Sequence, residues 1–301
     1  MLWIRIKKVM KLILPESILN LIWKIPVCFE YISTYLVFLF AKKHHQKLGW
    51  QELDSLQKQY VCPRKNITLE QAVQLAQHRI DTLLQLLPKD RRPETLLETG
   101  AGDGLFSIVA QRQYGIQATA IDLSIRPNPE LEKNEIDFKI MDVTNMEFKD
   151  CTFDCVVSFD AFEHFMDPSK ALLEMLRVTK PKGFVYLDFG PIYYSAYGLH
   201  LYKCIYVPYS QYLFDYEMMK EYVAKNNLQF IAAKTLNQWS LKQYDQLFQS
   251  VTTKADVIHR RVINDTHHLK LVRKYPGLFK AQTPQFQDLI HNRITLILQK
   301  K

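Results

Sequence analysis

Residues 96–106 limit the fold more than any other part of this chain. An apolar run, Leu96 and Leu97, passes through Glu98 and Thr99 into three alternate glycines, Gly100, Gly102 and Gly104, and an apolar helical pattern opens at Leu105. Glycine lets the backbone turn tightly and approach a ligand closely, because no Cβ intervenes. The helix start behind the loop offers unpaired N–H groups. A G-x-G-x-x-G dinucleotide fingerprint needs glycine where Leu105 stands, and a P-loop needs Gly-Lys-Ser/Thr, which is absent. With Glu98 and Asp103 in it, the loop is a poor seat for a pyrophosphate and suits a cationic ligand.

Alternating patterns surround this loop. Thr68 with Gln71 reads as a capping box opening a helix through about Leu87. Short apolar runs follow at 95–98, 117–121, 138–141, 153–158 and 184–189, with helical stretches at 105–114 and 169–179. Strands alternating with helices predict βαβ units: a doubly wound, mostly parallel α/β domain. Of the 301 residues 48% are apolar and 23% charged, which excludes a disordered or low-complexity chain. The five cysteines include no CxxC pair, so neither a disulfide scaffold nor a cysteine zinc site is expected, and a reducing compartment is implied. His267 and His268 lack a spaced partner, so no metal centre is expected.

Two further acids fall at expected strand ends. Asp122 closes the second strand, where a carboxylate can accept both hydroxyls of a ribose. Asp142 closes the third, where it can accept from an adenine amino group while Val143 packs on the ring. Each alone reads equally well as a turn or helix-cap acid. Three at successive strand ends, Glu98, Asp122 and Asp142, converge on the ligand crevice of a parallel sheet.

These residues resemble the class I S-adenosylmethionine-dependent methyltransferases. The likeness rests on the glycine motif at 98–104, Asp122, Asp142, the fourth-strand motif 153–158 followed by Phe162-Glu163-His164-Phe165, and the loop 178–183, where Lys182 replaces the usual glycine. It covers roughly residues 90–190. It implies a seven-stranded Rossmann-like sheet and S-adenosyl-L-methionine as cofactor. The cofactor would be held by Glu98, Gly100, Ala101, Gly102, Gly104, Asp122, Leu123, Asp142, Val143 and Ser158. It also implies an antiparallel last strand pair, expected at 228–232 and 294–298, with a largely helical insertion near the C-terminus between them. Residues 67–301 are then the methyltransferase domain, with a substrate lid over 191–291. An aromatic cluster from Tyr202 to Phe214 would form the packed wall of that lid.

Methyl transfer needs two aligned reactants, and a general base only if the nucleophile must lose a proton. His164 and His200 are the candidates for such a base, with structural or cofactor-shell roles as the alternative. The expected acceptor is a small molecule, a glycan or a lipid-linked compound, methylated on oxygen. An RNA or protein methyltransferase, or a non-catalytic membrane-attached partner protein with this fold, remains the alternative. Nucleic acid is disfavoured: the chain is acidic in its middle third and basic at its flanks, and no Asn/Asp-Pro-Pro-aromatic turn follows the fourth strand.

Residues 1–66 form a separate helical arm in this reading. Pro15 suits the first turn of a short helix, and an apolar stretch over 25–41 follows, with Gly49 as a candidate cap. Seventeen helical residues reach about 25 Å, against the roughly 30 Å of a hydrocarbon core. Glu30 sits inside the stretch and basic residues flank it on both sides. A packed arm, an interfacial membrane helix and a span all stay open, whereas a cleaved signal peptide fits poorly. The location is expected to be cytoplasmic, peripheral at the inner membrane face if residues 1–50 meet lipid. Oligomeric state is not legible.

Overall fold

The structure, a computed structural model, describes residues 29–63, 67–126, 128, 136–226, 228, 236–283 and 285–301. Residues 29–40 form helix α1, Trp50–Gln57 α2 and Leu69–Leu86 α3. The alternating part runs β1 (Thr95–Thr99), α4 (Leu105–Tyr114), β2 (Gln117–Asp122), β3 (Asp137–Ile140), β4 (Phe153–Phe159), α5 (Pro168–Val178) and β5 (Thr179–Phe189). It continues through α6 (Ser210–Leu213), α7 (Tyr216–Lys225), α8 (Leu241–Ser250), β6 (Ala255–Asn264), α9 (Leu269–Lys274), α10 (Pro276–Gln282) and β7 (His291–Lys300).

The seven strands order as β3-β2-β1-β4-β5-β7-β6. β1 to β5 are parallel, and β7 is antiparallel to both its neighbours. Strand order reverses between β1 and β4, which is where an open parallel sheet opens a ligand crevice. Successive side chains of the strands serve opposite faces. Leu97, Val156, Val185 and Leu296 pack with Leu172 and Met175 of α5 and with Tyr244 and Phe248 of α8. Leu96, Cys155, Val157, Tyr186 and Ile297 pack with Ile80 and Leu83 of α3 and with Phe106 and Val109 of α4. This period of two buries both faces of the sheet, as a parallel sheet requires. α3 starts as its sequence predicts: Gln71 N–H donates to the Thr68 hydroxyl, and the Gln71 side chain accepts from the Thr68 N–H.

A third core joins Phe38 of α1, Leu53 and Leu56 of α2, and residues following β5 and β6. Tyr209, Tyr212 and Phe279 lie fully buried within it, so the aromatic run after β5 is a packed wall. Phe286 receives Tyr31, Tyr35 and Phe38 at centroid distances of 5.4, 5.4 and 5.5 Å, which seats one face of α1.

Two expectations change. The outer antiparallel partner of β7 is β6, inside the stretch expected to be largely helical; most of the expected strand 228–232 lies outside the described residues. β6 is exposed along most of its length and carries His259, Arg260 and Arg261, which suits a sheet edge but hides the apolar alternation. Gly49 precedes α2 as its N-cap and does not end the arm helix. Residues 41–48 instead run beside α6 and α10, with His44 N–H donating to Gly277 O at 3.0 Å and Leu48 N–H to Leu213 O at 2.8 Å. Among the described residues no helix is long and apolar enough to cross a membrane. The expected helix from Pro15 lies outside them.

Candidate cofactor and acceptor site

A cavity of about 1370 Å³ opens at the ends of β1, β2 and β4. The glycine loop forms one wall. Gly100, Gly102 and Gly104 all take left-handed backbone, with φ of +69°, +63° and +71°. At Gly100 the need is also steric, because a Cβ there would lie 2.4 Å from the Ala161 Cβ. The loop is tied to β2: Ala101 N–H donates to Ile121 O at 3.0 Å, and Gly102 N–H donates to the Asp122 carboxylate at 2.8 Å. Ser124 N–H reaches the other Asp122 oxygen at 3.3 Å. The charge of Asp122 is thereby held beside the loop and at the cavity.

Glu98 is 5% exposed and accepts from the Ser107 N–H at 3.2 Å and the Ser107 hydroxyl at 2.7 Å, in the first turn of α4. Burial pushes its carboxyl up to about 7. Asp142 accepts from Thr144 N–H at 2.8 Å just beyond β3, with Val143 buried next to it. Glu98, Gly100, Ala101, Gly102, Asp122, Leu123, Asp142 and Val143 all line the cavity.

Two expected cofactor residues stand apart from that lining. Gly104 ends the loop as the N-cap of α4, where a Cβ would press on Phe138 at 3.2 Å. Ser158 is fully buried, and its hydroxyl donates to Thr99 O at 3.1 Å while the Thr99 hydroxyl donates to Val157 O at 3.2 Å. It joins β1 to β4 inside the sheet. The cavity takes Phe159, Asp160 and Ala161 from the end of that strand instead.

Both expected histidines also line the cavity. His164 closes a 3-10 turn, Phe162–His164, after β4, and His200 follows β5 in left-handed backbone with φ +60°. Their rings meet edge to face, with centroids 4.9 Å apart. His200 Nε2 lies 2.8 Å from Pro191 O. Beside them Glu163, 2% exposed, accepts from Gly190 N–H at 3.1 Å through Oε1, and burial pushes its carboxyl up to about 8.

An ionic chain in the same wall escaped the sequence reading. Asp160, itself at φ +49°, accepts from Arg79 of α3 and from Arg293 of β7 at 2.6 Å; Arg293 also donates to Asp188 of β5. The two guanidiniums hold the Asp160 carboxyl below the usual carboxylate range, against its burial. Arg126 was also missed: its N–H donates to Gly102 O at 3.2 Å and its guanidinium covers Gly102. Position directly after β4 is a signal for Asp160, and an arginine opening an apolar run is one for Arg293; nothing in the local pattern marks Arg79.

The raised Glu98 carboxyl has a measurable sign. Between pH ~4.5 and ~7 the unfolded chain loses this proton while the folded chain keeps it, so stability falls as pH rises through that window. A shift of this size corresponds to about 3 kcal/mol. Denaturant unfolding of wild type and Glu98→Gln is expected to diverge by that order over this window, with the wild type losing more. Parallel pH profiles would show that Glu98 titrates normally.

A family profile described as "Methyltransferase domain" matches residues 71–251, more than half of the chain. Norajmaline N-methyltransferase of Rauvolfia serpentina is 30% identical over 148 residues, covering 44% of this chain and 50% of that protein. Demethylmenaquinone methyltransferase of Renibacterium salmoninarum is 34% identical over 106 residues, 33% of this chain and 44% of that protein. The chain spans half or less of the length of these relatives. Among solved structures, phosphoethanolamine N-methyltransferase 2 of Haemonchus contortus, in complex with S-adenosyl-L-methionine, is 19% identical at a TM-score of 0.46, covering 74% of this chain and 52% of that one. With the family profile running from α3 through α8, across the glycine loop and the first five strands, the chain belongs to the methyltransferase-domain family.

Proposed function

We propose that this chain is a class I S-adenosylmethionine-dependent methyltransferase that acts on the oxygen of a small-molecule, glycan or lipid-linked acceptor lying between the cofactor and the His164–His200 pair. The observation that carries this reading is one cavity lined by the glycine loop, the strand-end acids and two imidazoles in contact with each other. Its volume of about 1370 Å³ exceeds the roughly 300–1,000 Å³ of ordinary ligand sites, which leaves room for a second reactant.

The residues fit the cofactor. Backbone at Gly100 and Gly102 presents no side chain to it, Asp122 can accept from ribose hydroxyls, and Asp142 with Val143 suits the adenine. Glu98 adds an acidic group on the cavity wall. When bound, S-adenosyl-L-methionine supplies an electrophilic methyl on a positively charged sulfur. The chain's own work is alignment, an effect that can reach about 7–11 kcal/mol. A hydroxyl acceptor also sheds a proton as it is methylated, and His164 and His200 are the imidazoles placed to meet its oxygen. Tyr197 and Tyr202 of the same lining offer hydroxyls for orientation. Calorimetry with S-adenosylmethionine, S-adenosylhomocysteine and NAD tests the cofactor half, and selective binding of the first two is expected. Methyl transfer only to amines or carbons across a panel of hydroxyl, amine and quinol acceptors would refute the oxygen assignment.

The arm favours a lipid-linked acceptor. While Tyr31, Tyr35 and Phe38 face the body, Phe29, Ile32, Leu36 and Phe40 are exposed on α1, and exposed Lys42 and Lys43 follow. An outward apolar stripe ending in cations suits the surface of an anionic bilayer. The protein is expected to float with anionic vesicles, and an Ile32→Ser, Leu36→Ser double variant to float several-fold less. Equal flotation of the two removes the membrane reading.

A further inference from the structure

We propose that Glu163, His164 and His200 form a binding site for one divalent transition-metal ion of the zinc or iron class. The proposal deepens the acceptor reading, since all three residues line the same cavity. Metal binding itself is measured without cofactor or acceptor, so it can fail while that reading stands.

One ligand atom from each residue lies within 4.8 Å of the other two, the single grouping of this kind among the described residues. With metal–nitrogen bonds of about 2.0–2.1 Å, ligands of a tetrahedral ion sit about 3.4 Å apart, so the trio needs to close by little more than an ångström. Two imidazoles and one carboxylate are a donor set that suits zinc and non-haem iron and leaves coordination positions open. Those positions are available to water or to an acceptor oxygen.

Two features of the surroundings point to a cation. Glu163 is almost wholly buried; its Oε1 takes the Gly190 N–H, but its Oε2 has no hydrogen-bond partner. Buried carboxylate oxygens normally find a donor, and a metal ion would satisfy this one. The contact between His200 Nε2 and Pro191 O places the proton on Nε2 and makes Nδ1 the basic nitrogen, the arrangement in which a backbone carbonyl orients a metal-bound imidazole. Glu163 and His164 follow β4 and His200 follows β5, adjacent strands in the sheet, so the trio forms across 36 residues of chain that no spacing motif would link.

The full-length protein, stripped with a chelator and dialysed against limiting zinc chloride, is expected to retain one zinc ion per chain. His164→Ala and His200→Ala are expected to weaken zinc binding by at least about tenfold, with S-adenosylhomocysteine binding preserved as the check on folding. His267→Ala, at an exposed histidine outside the trio, is expected to change nothing. Where a variant does not fold, carbethoxylation of the wild type read by mass spectrometry replaces it, with zinc expected to shield His164 and His200 but not His267. Retention of no zinc, equal zinc affinity in the folded trio variants, or equal modification of His164 and His200 with and without zinc would each overturn the site.

Discussion

Gly100→Ala is expected to lower methyl transfer by about 100-fold and to destabilise the fold, whereas Gly115→Ala is expected to leave transfer unchanged. The two glycines share a left-handed backbone, φ +69° and +68°, so each substitution carries the same intrinsic penalty of roughly 1–2 kcal/mol. Their surroundings differ. A Cβ on Gly115 meets nothing within 4 Å, while a Cβ on Gly100 lies 2.4 Å from the Ala161 Cβ. Either the loop or the turn after β4 must retreat by an ångström or more, and both line the cavity. A displacement of that size in the positioning of reactants costs on the order of 100-fold in rate. The measurement is turnover together with thermal melting for both variants. Similar turnover in the two would mean that the loop does not position the cofactor.

Asp122→Ala is expected to raise the dissociation constant for S-adenosylhomocysteine by 100-fold or more. Hydrogen bonds to a charged partner contribute about 1.5–3 kcal/mol each, and a carboxylate at this strand end can accept two from a ribose. The same carboxylate takes Gly102 N–H at 2.8 Å, so its loss also loosens the loop. Asp122→Asn keeps one acceptor oxygen and is expected to lose about tenfold. Calorimetry gives the affinities, and a melting temperature close to wild type in the Asn variant separates binding from folding. Unchanged affinity in a folded Asp122→Ala protein would remove Asp122 from the cofactor site.

The pattern of successes and misses follows the range of the interactions. The Thr68–Gln71 capping box, the strand at 95–98 and the helix at 105–114 are each decided by residues within one turn or one strand, and they stand where their patterns place them. The edge strand β6 was hidden because an edge facing solvent needs no apolar alternation. The resemblance implies a cofactor role for Ser158, but its hydroxyl crosses to Thr99 of the neighbouring strand and it is absent from the cavity lining.

What the sequence alone determined is the local chemistry of the crevice: a glycine loop that must bend left-handed, a helix start behind it, and acids at the ends of β1 and β2 and just beyond β3. Backbone sterics and the two-residue period of strands act over a few residues, so these features are written locally. Which distant side chains share the cavity follows from the way the strands assemble. Sheet order set β4 beside β5 and β5 beside β7, which brought Asp160 to Arg293 and His164 to His200 and Glu163. Those meetings depend on strand neighbours and buried charge, which are properties of the assembled sheet.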